Sequence, residues 1–196
     1  MWKSIWDIVE VIKDEKYVFL RNAENLKDDF SEKDDWDILC ADLKQFINRV
    51  KAVPLNKKER CYNYYTVVNE KKLLLDIRCV GDGYYDSKWE INMLETREEK
   101  DGYFILDNEQ QKYSILYHYL LQKNTETDLK YKKYIQQNFG IFDLKKNLQQ
   151  LYAYMKKNGY VYVMPLDDNV YLNTENIKLL KEDEMNGREN KKYRRI

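Results

Sequence analysis

The run KLLLDIRCV, 72–80, constrains this chain more than any other stretch. Leucine, isoleucine and valine suit a buried pleated surface, and the GDG that follows at 81–83 breaks the run, so it reads as a core β-strand. Asp76 interrupts it. Residues two apart on a strand share a face, so Arg78 stands beside Asp76. A carboxylate within a core strand is costly unless it is paired or holds a metal ion. The chain must therefore build a sheet around a strand that carries its own acid and base. Asp76 is either the partner of Arg78 or another base, or a ligand.

A second strand bears on the choice. In KDDWDILC, 33–40, an acidic cluster runs without a turn residue into the apolar run WDILC. Asp35 and Asp37 project to one face, and Trp36 packs to the other. Two carboxylates so placed can bridge divalent metal ions, and a third on a neighbouring strand completes a site of the two-metal kind. Asp76 is the candidate third. D-x-D alone recurs by chance in a chain with 18 aspartates; its position at the start of a strand that leads into a helix gives it weight.

The remaining elements follow from periodicity. Trp2, Ile5, Trp6, Val9 and Ile12 have helical spacing, predicting a helix over 2–14. YVFL, 17–20, is a short buried strand. Leu43, Phe46, Ile47 and Val50 predict a helix over 41–52, ended by Pro54. CYNYYTVVN, 61–69, reads as a strand, GDGYYDSKWE, 81–90, as a polar aromatic loop, and GYFILD, 102–107, as another strand. Beyond Asp107 the texture turns helical, with helices expected over 109–123, 126–138 and 144–158. YVYVM, PLDDN and VYLN then predict a β-hairpin with its turn at 165–169, a wing-like ending whose acidic tip argues against phosphate contact. The fold class is therefore α+β, a small mixed sheet with a C-terminal helical layer ending in a hairpin. Residues 1–107 form the α/β core, 108–180 the helical subdomain and 181–196 a charged tail expected to fray.

Composition excludes several classes. Lysine and arginine together number 34, as do aspartate and glutamate, so net charge gives no support for a nucleic-acid partner. No apolar run approaches the ~18 residues of a membrane helix. The N-terminal MWKSIWDIVEVIKDE has acids spaced through it and resembles no signal or transit peptide. Three cysteines without a C-x-x-C fit a reduced cytoplasmic protein, and the single histidine, His118, excludes His-rich zinc sites. Motifs of P-loop, dinucleotide-binding and α/β-hydrolase folds are absent from the sequence.

YVFLRNAENL, DDWDILCADLKQFIN and LLLDIRCVGDGYYDSKWE, taken in order, resemble the nucleotidyltransferase fold of the DNA polymerase β superfamily. The resemblance is to its uncharacterised bacterial and viral members near polysaccharide-biosynthesis genes, and covers residues 15–107. It implies a metal-dependent transfer of a nucleoside monophosphate from a nucleoside triphosphate to a hydroxyl acceptor on a sugar, a protein or an RNA. Asp35, Asp37 and Asp76 take the positions of the metal-binding and catalytic acids, with Mg²⁺ or Mn²⁺ as cofactor. Where the superfamily turn carries Gly-Ser, this chain has LRNAEN, so Arg21 and Asn22 become the phosphate contacts. Arg78 and Lys88 are further candidates for nucleotide binding. The alternatives are a catalytically inactive binding or interaction module on the same scaffold, and a toxin-like or host-directed modifier of RNA or protein.

Overall fold

The computed structural model of the protein describes residues 1–21, 23, 26–27, 29–31, 34–56 and 62–181. Asn22, Cys61 and the expected tail beyond 181 lie outside the described residues. The chain divides into two compact units, Met1–Gln111 with Tyr162–Asp167, and Lys112–Val161 with Asp168–Ile196. The fold is α+β.

The first unit is built on a seven-stranded sheet of order β3-β4-β5-β2-β1-β7-β6. Its strands are β1 (Tyr17–Arg21), β2 (Asp35–Cys40), β3 (Val53–Pro54), β4 (Asn63–Val68), β5 (Lys71–Cys79), β6 (Glu98–Lys100) and β7 (Tyr103–Ile105). β2 pairs with β5 in parallel, as does β1 with β7; the other pairings are antiparallel. KLLLDIRCV thus lies inside the sheet, between β4 and β2. β4 and β5 join through Asn69 and Glu70, both at positive φ (46° and 67°). Two left-handed residues give the twist that a two-residue hairpin needs.

One face of the sheet is apolar. Tyr17, Phe19, Trp36, Ile38, Leu73, Leu75 and Ile77 form a buried cluster with helix α1 (Ile5–Ile12) and helix α2 (Leu43–Arg49). α1 starts later than its periodicity predicts. Ser4 and Asp7 form a capping box at its N-terminus. Trp2 is drawn out of the helix: it bridges to Val68, and its indole Nε1 donates to Val50 O and Thr66 Oγ1, each at 3.1 Å. Trp6, expected in the buried stripe, is exposed. α2 is capped by Asp42, whose side chain accepts from the Gln45 N–H.

The expected loop at 81–90 becomes a helix from Ser87. α3 (Ser87–Glu95) is capped by Asp86, buries Trp89, Met93 and Leu94, and packs against β1 and β2. It was hidden because its apolar residues are few and Glu90 interrupts its buried face.

The second unit is helical. Most of α4 (Asn108–Gln122) belongs to it, with α5 (Leu129–Phe139), α6 (Leu144–Asn158) and a helical stretch over 174–181. Asp143 caps the start of α6, and Gly159 closes it in the left-handed conformation (φ 71°), as Asn158-Gly159 predicts. The expected hairpin over 160–173 does not form: the described residues there contain no strand. Pro165 has no N–H to give to a ladder. The backbone makes other bonds, with Leu166 N–H donating to Asp82 O (3.0 Å) and Asn173 N–H to Leu121 O (2.9 Å). No helix among the described residues is long and apolar enough to cross a membrane.

Candidate functional site: a row of acids and arginines across the sheet

Strand register brings the candidates together. Asp37 on β2 stands directly opposite Asp76 on β5. Asn63 on β4 is opposite Asp76 on the other side, and Arg21 on β1 is opposite Asp37. Directly opposed residues point to the same face. Asn63, Asp76, Asp37 and Arg21 therefore form one polar row across four strands, on the face away from the apolar cluster. The preceding row, Tyr64, Leu75 and Trp36, faces the core.

Arg21 reaches this face through an irregularity. Phe19 pairs with Ile38, but Arg21 pairs with Asp37, so Leu20 is an extra residue on β1. In regular register Arg21 would face Trp36 and point into the core. A β-bulge re-aims the strand end at the carboxylate.

The row is largely ion-paired. The Arg21 guanidinium binds Asp37, and both side chains are over nine-tenths buried. Its Nη2 also lies 3.4 Å from Tyr84 Oη. Arg78, on the same face of β5 as Asp76, pairs with it through Nε (2.8 Å) and donates from Nη2 (3.2 Å). The Arg78 Nη1 donates to Asp167 (3.0 Å). The rings of Tyr84 and Tyr62 lie 4.3 and 4.8 Å from the Arg78 guanidinium carbon, so each stacks a π-face against the cation. Asp35, two residues before Asp37, is exposed at the start of β2.

The electrostatics follow from this packing. Partial desolvation, then the charges of Asp37 and Asp76, push the Asp35 carboxyl pKa up, with Arg21 opposing. Burial raises Asp76 more directly, with Asp37 adding to it and Arg78 pulling the other way. Burial on its own would lower both arginines; the carboxylate beside each outweighs it and locks the charge in place. Burial pushes Tyr84 up to about 12 against both guanidiniums, keeping it a neutral hydroxyl.

The loop after β5 is fastened from below. Asp82 accepts the N–H groups of Cys79 (3.1 Å) and Tyr84 (2.8 Å). Glu90 is fully buried and accepts those of Gly81 (2.8 Å) and Tyr85 (3.1 Å). Burial pushes the Glu90 carboxyl up to about 7 against these two donors. Together the two acids hold Tyr84 between the arginines.

The structure thus brings Arg21, Asp37, Asp76 and Arg78 side by side, with Asp35 at the margin. Asn22 lies outside the described residues. Lys88 does not join the row: it sits on the first turn of α3, its backbone N–H bonded to Asp86. Asn63, Tyr62, Tyr84 and Asp167 belong to the cluster and were not singled out by the sequence. Strand spacing gives the face of Asn63 but not its register. Asp167 arrives from almost ninety residues downstream, with no local pattern to announce it.

Among the described residues, no group of three or more acidic, His or Cys side chains is arranged to hold a metal ion. Asp35, Asp37, Asp76 and Asp167 offer carboxylate oxygens, the donor type that Mg²⁺ or Mn²⁺ takes, while Asp37, Asp76 and Asp167 are each paired with Arg21 or Arg78.

No protein-family profile and no curated protein matches the chain. Among solved structures it is similar to JHP933 from Helicobacter pylori, at 16% identity over 79% of this chain and 73% of that one, with a TM-score of 0.43. A likeness so remote carries no argument about function.

Proposed function

We propose that the chain is a metal-dependent nucleotidyltransferase that moves a nucleoside monophosphate from a nucleoside triphosphate to a hydroxyl acceptor. The observation that carries this reading is the register of Asp37 against Asp76 on adjacent parallel strands, with Asp35 two residues before on the same face. Asp35, Asp37 and Asp76 would hold Mg²⁺ or Mn²⁺, which when bound stabilises charge on the phosphoryl oxygens. The bond from the α-phosphorus to its bridging oxygen breaks as the acceptor oxygen bonds to phosphorus, and pyrophosphate leaves. Asp76 takes the acceptor proton; a carboxylate whose pKa is raised by burial is a better base for it. Arg21 offers a planar fork to a phosphate, and the phenol of Tyr84 keeps the two guanidiniums apart.

The test is transfer of label from α-³²P nucleoside triphosphates to sugar, protein and RNA pools in Mn²⁺. Transfer that Asp37→Asn and Asp76→Asn each reduce by at least 10³-fold, the scale of losing a central electrostatic group, supports the reading. Equal transfer by the variants refutes it.

One observation favours a second reading, a binding module on the same scaffold without catalysis. Asp37 and Asp76 already have arginine partners, a structural use of both acids. Nucleotide binding that survives in EDTA, with no label transfer in Mn²⁺, selects it.

A further inference from the structure

The second arm of Arg78 is held by a residue from outside the sheet. After Val161 the chain leaves the helical unit, runs through Tyr162–Asp167 as part of the α/β unit, and returns at Asp168. This short strap makes three contacts with the β5 end. Asp167 accepts from Arg78 Nη1 at 3.0 Å, with both side chains more than nine-tenths buried. Leu166 N–H donates to the carbonyl of Asp82. The Met164 carbonyl lies so close over Gly83 that a Cβ there would stand 2.5 Å from its oxygen. Gly83 has φ +78° and no side chain, and both properties are needed for the strap to lie where it does.

A carboxylate on a guanidinium fork occupies the position that a phosphate takes in anion recognition. Leu166 and Met164 are exposed, and no residue of Tyr162–Asp167 lies in a strand. A segment outside the strand ladders, with exposed side chains at its centre, is of the kind from which lids and latches are drawn.

We propose that Tyr162–Asp167 is an autoinhibitory strap: Asp167 fills the anion-binding arm of Arg78, and a phosphate-rich anion binds there by displacing it. The proposal rests on the nucleotide reading only for the class of ligand. It adds that Arg78 is a ligand-exchanging residue and that the free protein is closed at this arm.

Asp167→Asn keeps the size and the acceptor oxygen while removing the charge that competes with the ligand. The probe is inorganic tripolyphosphate, titrated calorimetrically into the full chain without metal. Asp167→Asn is expected to bind about tenfold tighter than wild type, the weight of one charge-assisted contact. Gly83→Ala, which pushes the strap away with Asp167 intact, is expected to shift affinity in the same direction, and decides the matter if Asp167→Asn does not fold. Exchange of the Leu166 amide should rise on adding tripolyphosphate to wild type, because its bond to Asp82 opens. Affinity unchanged or lowered in both variants, or no binding by any of the three proteins, overturns the strap. Tighter binding by the variants together with no label transfer by wild type or by Asp167→Asn leaves the strap standing and removes the enzyme.

Discussion

Arg21→Met is the most informative single change in the sheet. The Arg21 and Asp37 side chains retain only 9% and 8% of their exposure, so methionine fills the space of the arginine stem but leaves a carboxylate in a dry site. Breaking a buried pair by removing one partner costs about 3–5 kcal/mol, well above the 0–1 kcal/mol of a surface pair. With a urea m-value of about 2 kcal/mol/M, the unfolding midpoint should fall by roughly 1.5–2.5 M. Arg21→Met/Asp37→Leu removes both charges and should recover most of that loss, since apolar replacement of a whole buried pair is close to neutral. The coupling from the double-mutant cycle should then be at least about 2 kcal/mol. Urea melts followed by tryptophan fluorescence supply all four values, with Trp36 packed beneath the row as the reporter. A loss below about 1 kcal/mol in Arg21→Met would show that water reaches Asp37, and the bulge-directed burial argued above would be wrong.

Glu90 supplies a pH prediction. Its carboxyl is raised from 4.5 to about 7 by burial, so the folded state holds a proton that the unfolded chain releases sooner. Stability from this group is full below pH 4.5 and is lost as pH rises to about 7, by about 3 kcal/mol across the window; Glu90→Gln should flatten that part of a stability–pH curve, and an unchanged slope would refute the assignment. For metal, the wild-type melting temperature should rise by several degrees in Mn²⁺ near neutral pH, since a ligand that binds only the native state stabilises it by mass action. Asp35→Asn/Asp37→Asn should respond little, and an equal response in that variant would place the metal elsewhere.

The strands were legible where burial is one-sided or complete. WDILC and KLLLDIRCV announce themselves because continuous β-formers admit few other arrangements, and their two-residue periodicity places Asp37 and Asp76 on faces that can meet. Register was not legible. Asp37 meeting Asp76, not Leu74 or Arg78, depends on how far β5 slides along β2, and hydrogen bonding between the strands fixes that across the whole sheet. α3 was missed because Glu90 sits inside its buried face, a polar residue made tolerable by two backbone donors from a loop several residues away. The hairpin over 160–173 was wrongly expected because YVYVM has strand-like residues. Propensity cannot say that the segment's partners are the Asp82 carbonyl and the Arg78 side chain, not another strand.

Arg21 shows most directly why site chemistry lags behind fold in such a reading. In YVFLR, strict alternation assigns Arg21 to the face of Tyr17 and Phe19, which is the core. A guanidinium there would have no carboxylate opposite it, only Trp36. The chain resolves the conflict with one extra residue, Leu20, and the bulge turns an uncompensated charge into the partner of Asp37. Two competing costs set that outcome: the lost ladder bond at the bulge, about 1 kcal/mol, and an unpaired buried charge, several times larger. The larger cost wins, so β1 bends where the arginine begins. The same comparison explains the middle of the row, where Asp76 is tolerated within an apolar strand because Arg78 lies two residues on and follows it to the same face. At the end of β1 the charge sets the pairing of one residue, while Tyr17, Val18 and Phe19 keep the regular register.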